Sequence, residues 1–242
     1  MSCKINSLNP PIPCRFYTKK PKITKIKTII LCSSDEQQKT ITTSTAIETP
    51  TTEAYSVSFK TKRACKLGIS WYPDFEYDAE GGMGTGPGAK VTENQANNND
   101  LLVSFDLETL YIPPLTSSTT KFLGLPLPPL LKIDIVPQAL QGSVNQESGK
   151  VDLEFKAKFL FSIGSLYKAP PLLVKTVLTT EESKGTVKSG RGKRLDEAGN
   201  CTLVGVATVD PIDDFLLNSF LSLPTECIAI LNAEISIASS SS

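Results

Sequence analysis

Val151-Asp152-Leu153-Glu154-Phe155-Lys156-Ala157-Lys158-Phe159-Leu160-Phe161-Ser162-Ile163 is the stretch whose reading decides the fold class. Every odd position from Val151 to Ile163 is apolar, while Asp152, Glu154, Lys156 and Lys158 occupy the even ones. Successive side chains of a strand point to opposite faces, so a period of two means a strand with one buried face and one wetted face. A helix would repeat its apolar positions every three to four residues, which this stretch does not do.

Working outward, the same alternation recurs in Tyr55, Val57 and Phe59, and in Leu101, Val103, Phe105, Leu107 and Tyr111. It returns near the C-terminus in Cys227, Ala229, Leu231, Ala233, Ile235 and Ile237. Leu172 to Thr180 and Thr202 to Val209 supply two further strands. Between Leu131 and Val144 the apolar phase changes at Pro137, which predicts a bulge where the missing proline N–H does least harm. Gln146-Glu147-Ser148-Gly149 reads as the hairpin turn into the 151–163 strand.

One helix is expected late in the chain. Asp210 reads as its N-cap and Pro211 as its first position, with Asp213 and Asp214 complementing the dipole. Ile212, Phe215, Leu216 and Phe220 form its apolar stripe, and Pro224 ends it. Strands without intervening helical spacers predict a mainly β fold, an antiparallel β-barrel or β-sandwich with one short helix near the C-terminus. A final strand pattern, rather than a long final helix, argues against a helix-grip fold.

The chain has 242 residues, 40% hydrophobic and 21% charged, enough for one core of ordinary composition. Its 25 basic and 25 acidic residues are unevenly spread. Lys4, Arg15, Lys19, Lys20, Lys22, Lys25 and Lys27 precede the first acid, Asp35. Removing those seven from 25 leaves 18 basic against 25 acidic residues, and a net-acidic domain is a poor binder of the nucleic-acid backbone. The acid-free start lacks the apolar core of a secretory signal, and it reads as a plastid transit peptide over 1–32. Ile30-Leu31-Cys32 resembles the Val/Ile-x-Ala/Cys cleavage pattern of chloroplast stromal precursors. The expected organisation continues with a disordered linker over 33–53, a single antiparallel β domain over 54–238 and a disordered Ser tail over 239–242. No twin-Arg or second apolar signal follows, so the expected location is the chloroplast stroma, with thylakoid association possible for a docking surface.

The chain contains no histidine, which excludes Ser-His-acid and Cys-His catalysis, His-bearing zinc sites and proximal-His haem ligation. Cys65, Cys201 and Cys227 are scattered, with no C-x-x-C pair, and read as inert buried thiols. Asp74, Glu76, Asp78 and Glu80 alternate, but an EF-hand read from Asp74 has Ala79 at the glycine position and Thr85 at the bidentate one. They read as a solvated strand face. The Gly81–Gly88 run lacks both G-x-G-x-x-G and the Gly-Lys-Ser/Thr ending of a phosphate loop. Asn94 to Asp100 reads as a long insertion. Lys184, Lys188, Arg191, Lys193 and Arg194 form a basic loop without interleaved aromatics for base stacking.

The candidate site is the Pro/Leu segment from Leu110 to Leu131. Its five prolines, Pro113, Pro114, Pro126, Pro128 and Pro129, forbid a regular helix or inner strand, while its leucines disfavour simple exposure. Phe122, Leu123, Leu125, Leu127 and Leu130 are therefore the expected ligand or membrane contacts. Leu130 should act through stability and Leu125 and Leu127 through binding. No catalytic residue, metal site or cofactor is assigned. The expected function is a non-catalytic stromal protein that binds an apolar ligand, a lipid or pigment, or docks at the thylakoid surface. The alternatives are an assembly or scaffold factor with a protein partner, and a small β-barrel cyclase or isomerase without histidine chemistry.

Overall fold

The computed structural model describes residues 54–90 and 100–239. The expected leader and linker, the Asn94–Asp100 insertion apart from Asp100, and the expected Ser tail apart from Ser239 lie outside the described residues; Ser239 itself ends β15, opposite Tyr55. Fifteen strands and one helix follow in order: β1 (Ala54–Thr61), β2 (Cys65–Ile69), β3 (Phe75–Tyr77), β4 (Met83–Lys90), β5 (Asp100–Ser104), β6 (Thr120–Phe122), β7 (Leu125–Pro126), β8 (Leu131–Asn145), β9 (Val151–Ile163), β10 (Tyr167–Lys168), β11 (Leu172–Thr179), β12 (Glu182–Lys184), β13 (Ser189–Arg191), β14 (Asn200–Val209), α1 (Phe215–Leu221) and β15 (Thr225–Ser239). The fold is mainly β and antiparallel throughout. Hydrogen bonding runs β1-β4-β5-β8-β9-β11-β14-β15 and returns from β15 to β1, closing an eight-stranded barrel.

This barrel has two storeys because its longest strands outrun their partners. β8 and β15 have 15 residues each, roughly 50 Å at about 3.3 Å per residue. Along one edge of β15, Ala233–Ser239 pair with β1, whereas Cys227–Ile230 pair with β2. The corner between β1 and β2 passes through Ala64 in the left-handed region, φ 58°. Asn232 stitches that corner: its Nδ2 donates to Ala64 O at 3.0 Å, and its carbonyl accepts from Lys62 N at 2.8 Å.

β8 makes the matching change on the other side. Gln141–Asn145 pair with β5, and the register against β9 slips between Pro137 and Ala139. The bulge expected at Pro137 is therefore present. Beyond it, toward the N-terminal end of β8, Ile133 bridges Leu115. One storey is thus completed by β1, β4 and β5, and the other by β2, β3, β6, β7 and the Leu115 segment.

The first storey is filled. Val57, Val103, Leu140, Val151, Leu153 and Leu203 meet there, all essentially without solvent contact. β4 reaches this crowded interior as the glycine run, which forms a strand rather than a loop. Gly86 lies so close to β5 that a Cβ would sit 2.0 Å from Ser104 O. The alternation expected to run from Leu101 to Tyr111 holds through Phe105, buried in the core, and ends there, since Asp106 to Thr109 turn away and Tyr111 bridges back to Met83.

The helix begins later than its sequence signals suggest. Asp214 is its N-cap, with Oδ1 accepting from Leu217 N at 2.7 Å. Asn218 holds the preceding chain out of the helix: its Oδ1 accepts from Ile212 N and its Nδ2 donates to Ile212 O. The expected stripe is rotated as a result, with Leu217 buried and Phe215 and Leu216 exposed.

Candidate functional site

The second storey is hollow. Its interior is a cavity of about 530 Å³, within the usual range for small-molecule pockets of roughly 300–1,000 Å³. The hollow follows from the sizes of the inward side chains. On β14 the inward positions run Cys201, Leu203, Gly205, Ala207: Gly205 is small because Leu178 and Thr176 leave no room for a Cβ, and Ala207 beyond it faces the hollow. On β15 Ala229 takes the corresponding place, and on β11 Thr176 does. Phe159 and Phe161 of β9 and Leu67 of β2 form further wall.

Among the lining residues there is no Asp, Glu, Lys or Arg. Polar groups are limited to side chains such as Tyr72, Thr176, Thr225 and Cys227, and several are occupied. The Tyr72 hydroxyl donates to Phe220 O at 2.7 Å, Thr176 Oγ1 donates to Val206 O at 2.8 Å, and Thr225 Oγ1 donates to Ser70 Oγ at 3.1 Å. Burial pushes the Cys227 thiol up to about 11, so it is held protonated and unreactive at neutral pH.

The β11–β14 contact has a single ladder pair, Thr179 with Val204. Toward the hollow end, side chains take over. Besides the Thr176 bond, Val206 N donates to Ser183 Oγ at 2.9 Å, from the β12–β13 hairpin. The basic loop expected at 184–194 is this hairpin. Its turn wraps the Glu226 carboxylate, which accepts from the backbone N–H groups of Thr186, Val187 and Lys188 at 2.6–2.9 Å. Bonds from Lys188, Val187 and Thr186 hold Glu226 down at about 2.

The Pro/Leu segment covers one side of the cavity. Its prolines leave only short edge pieces, β6 and β7, joined through Leu123 and Gly124, both at positive φ. Phe122 stacks on Phe75 with ring centroids 4.6 Å apart, and both line the cavity. Leu123 and Leu125 line its rim with most of their surface exposed, whereas Leu127 lines it from a buried position. Leu130 is not among the lining residues. It stands exposed at φ 74°, and its carbonyl accepts from Gly164 N of the β9–β10 turn at 2.9 Å. Leu127 thus lines the cavity while buried, and Leu130 stands exposed and away from it, because the chain turns a left-handed corner at Leu130 before entering β8.

Three of the four acids at 74–80 are paired with cations: Asp74 with Lys188 at 3.4 Å, and Asp78 and Glu80 with Arg63. Sequence reasoning missed Gly205, Ala207, Ala229 and the aromatic wall of β9 as cavity residues. Small residues at successive inward positions were the available signal.

Fold and site together define a two-storey antiparallel β-barrel with one apolar cavity described in its hollow storey. No protein-family model matches the chain, and neither does any curated protein or solved structure. No helix among the described residues is long and apolar enough to cross a membrane.

Proposed function

We propose that this protein binds a neutral apolar ligand, a lipid chain or pigment, in the hollow storey of its barrel. The uncharged lining of a 530 Å³ cavity is the observation that carries this reading. A cavity lined this way favours apolar guests, since each Å² of apolar surface removed from water contributes about 25 cal/mol. A free carboxylate or phosphate would lose its hydration there without gaining a cation. Catalysis is the weaker reading, because the wall offers no carboxylate or Lys for proton transfer and its one thiol is held protonated.

The place of action in this proposal is the plastid stroma, on the strength of the basic, acid-free residues 1–34. A reporter fused behind residues 1–53 should accumulate in chloroplasts. A cytosolic or secretory reporter would remove the plastid part and leave the cavity reading untouched.

The cavity is tested with an uncharged, environment-sensitive apolar dye and the full chain. Dye emission should rise on binding to the native protein and fall below the native level in Ala229→Phe and Ala207→Phe, each of which narrows the hollow without touching the other storey. Unchanged dye binding in both variants, at unchanged melting temperature, would rule the cavity out as the binding site.

A further inference from the structure

The six most exposed large apolar side chains among the described residues are Phe215, Leu166, Trp71, Leu123, Leu125 and Leu130, 68–87% exposed. They lie on five separate segments: the β2–β3 turn, the β6–β7 hairpin, the corner before β8, the β9–β10 turn and α1. The strand pairings put all five at one end of the barrel. β2 ends at Ile69 opposite Cys227 near the start of β15, β8 begins at Leu131 opposite Ile163 at the end of β9, and α1 joins β14 to β15. This is the end at which the hollow storey opens.

The geometry points to a lipid surface as the partner of this end, with Phe215, Leu166, Trp71, Leu123 and Leu125 inserting among the lipids. Continuity with the cavity is the reason for that choice. Leu123, Leu125 and Phe220 are exposed at the rim and also line the interior, so an apolar path runs from outside to inside without a polar step. Protruding aromatic and aliphatic tips ringing an opening suit a fluid interface, where Trp and Phe partition favourably, better than they suit a flat protein face. The surrounding exposed charges are mixed, with Lys121 and Lys168 against Asp210 and Asp213. Docking should therefore be driven by insertion and resist salt. The proposal takes its cargo from the cavity reading, while the docking itself is measured separately.

The test uses the full chain with phosphatidylcholine vesicles at high salt, conditions that silence electrostatic attraction of the basic residues 1–34 to anionic lipid. Trp71 is the chain's single tryptophan, so its emission reports directly on this rim. The expected result is a blue shift on adding vesicles and co-flotation of the protein. Phe215→Ser and Leu166→Ser should each lower the vesicle partition coefficient about tenfold, with melting temperature and dye binding unchanged. No flotation of the native chain, or equal flotation of the double variant, overturns docking. A native dimer that the same substitutions dissolve, without vesicle association, overturns it in favour of a second copy. Flotation of the native chain, lost in the double variant but kept in an Ala229→Phe chain whose dye binding is reduced, supports docking. A native chain that floats but never takes dye would sink the cavity reading alone.

Discussion

The filled and hollow storeys share β8, β9, β11, β14 and β15, yet small residues do opposite work in them. In the filled storey Gly84, Gly86 and Gly88 alternate along β4 because no room remains for a Cβ, with Leu110, Ser104 and Leu101 already pressed against them. In the hollow storey Ala207 and Ala229 face space that nothing fills. A small inward residue therefore means close packing in one place and a binding volume in the other. The distinction depends on what stands across the barrel, which no local window of sequence contains.

The largest effects should separate the storeys by stability. Gly86→Ala forces a methyl group against the Ser104 carbonyl and should prevent stable folding or cost well above the usual 1–3 kcal/mol of overpacking. Leu153→Ala and Leu203→Ala empty fully buried sites and should cost about 2–5 kcal/mol each. Phe159→Ala, on the cavity wall, should cost distinctly less and enlarge the space for ligand. Urea melts on the four variants check this, and equal losses for Phe159→Ala and Leu153→Ala would show that the second storey is as tightly filled as the first.

The alternation of Val151–Ile163 was legible because it depends only on which face meets water, and β9 spans those same residues. The bulge was legible for a related reason, since Pro137 marks its own constraint, but closure was not, because a row of alternating strands fits a sandwich as well as a barrel until the β15–β1 pairing is seen. The glycine strand was not legible either, because its reason for being in β4 lies in Leu101, Ser104 and Leu110, outside the glycine run itself. For the site, Phe122, Leu123, Leu125 and Leu127 could be singled out by proline spacing alone, but their opposite exposures could not. Those are set by the left-handed corners at Leu123 and Leu130. Trp71, Leu166 and Phe215, the last read in sequence as part of the helix's apolar stripe, meet at one end only once the strand order has gathered their turns there.

Acid should distinguish the storeys more gently. Glu226 has a folded value of about 2 against an ordinary 4.5, so the latch it makes with the β12–β13 turn adds stability that is fully present above pH 4.5. That contribution declines as pH falls from 4.5 and is lost as it passes through about 2. Glu226 stands at the hollow end, at the second position of β15. Amide exchange at Thr186, Val187 and Lys188 should therefore accelerate over this window before exchange in the filled storey does. Glu226→Gln should show the faster exchange already at neutral pH. Simultaneous acceleration in both storeys would mean that the latch belongs to the whole barrel.

The smallest expected effect concerns the wall that both storeys share. Lys156 on β9 stands directly opposite Lys175 on β11, two like charges in one antiparallel pair on the polar outer face. Such a pair is unfavourable, whereas an opposite-charge pair contributes about 0.2–1 kcal/mol, so Lys156→Glu should raise stability by a few tenths of a kcal/mol or slightly more. The gain should shrink at high salt, because the groups are partly exposed and screened. Lys156 lies beside Ala139, just past the bulge at which β8 changes partners, so the substitution acts at the boundary between the storeys. If β9 and β11 couple the two halves into one cooperative unit, amide-exchange protection at Thr186–Lys188 of the hollow end and far-ultraviolet dichroism from the whole barrel will report the same shift in stability. A shift seen by only one of those probes would show that the halves unfold separately, despite the strands that run through both.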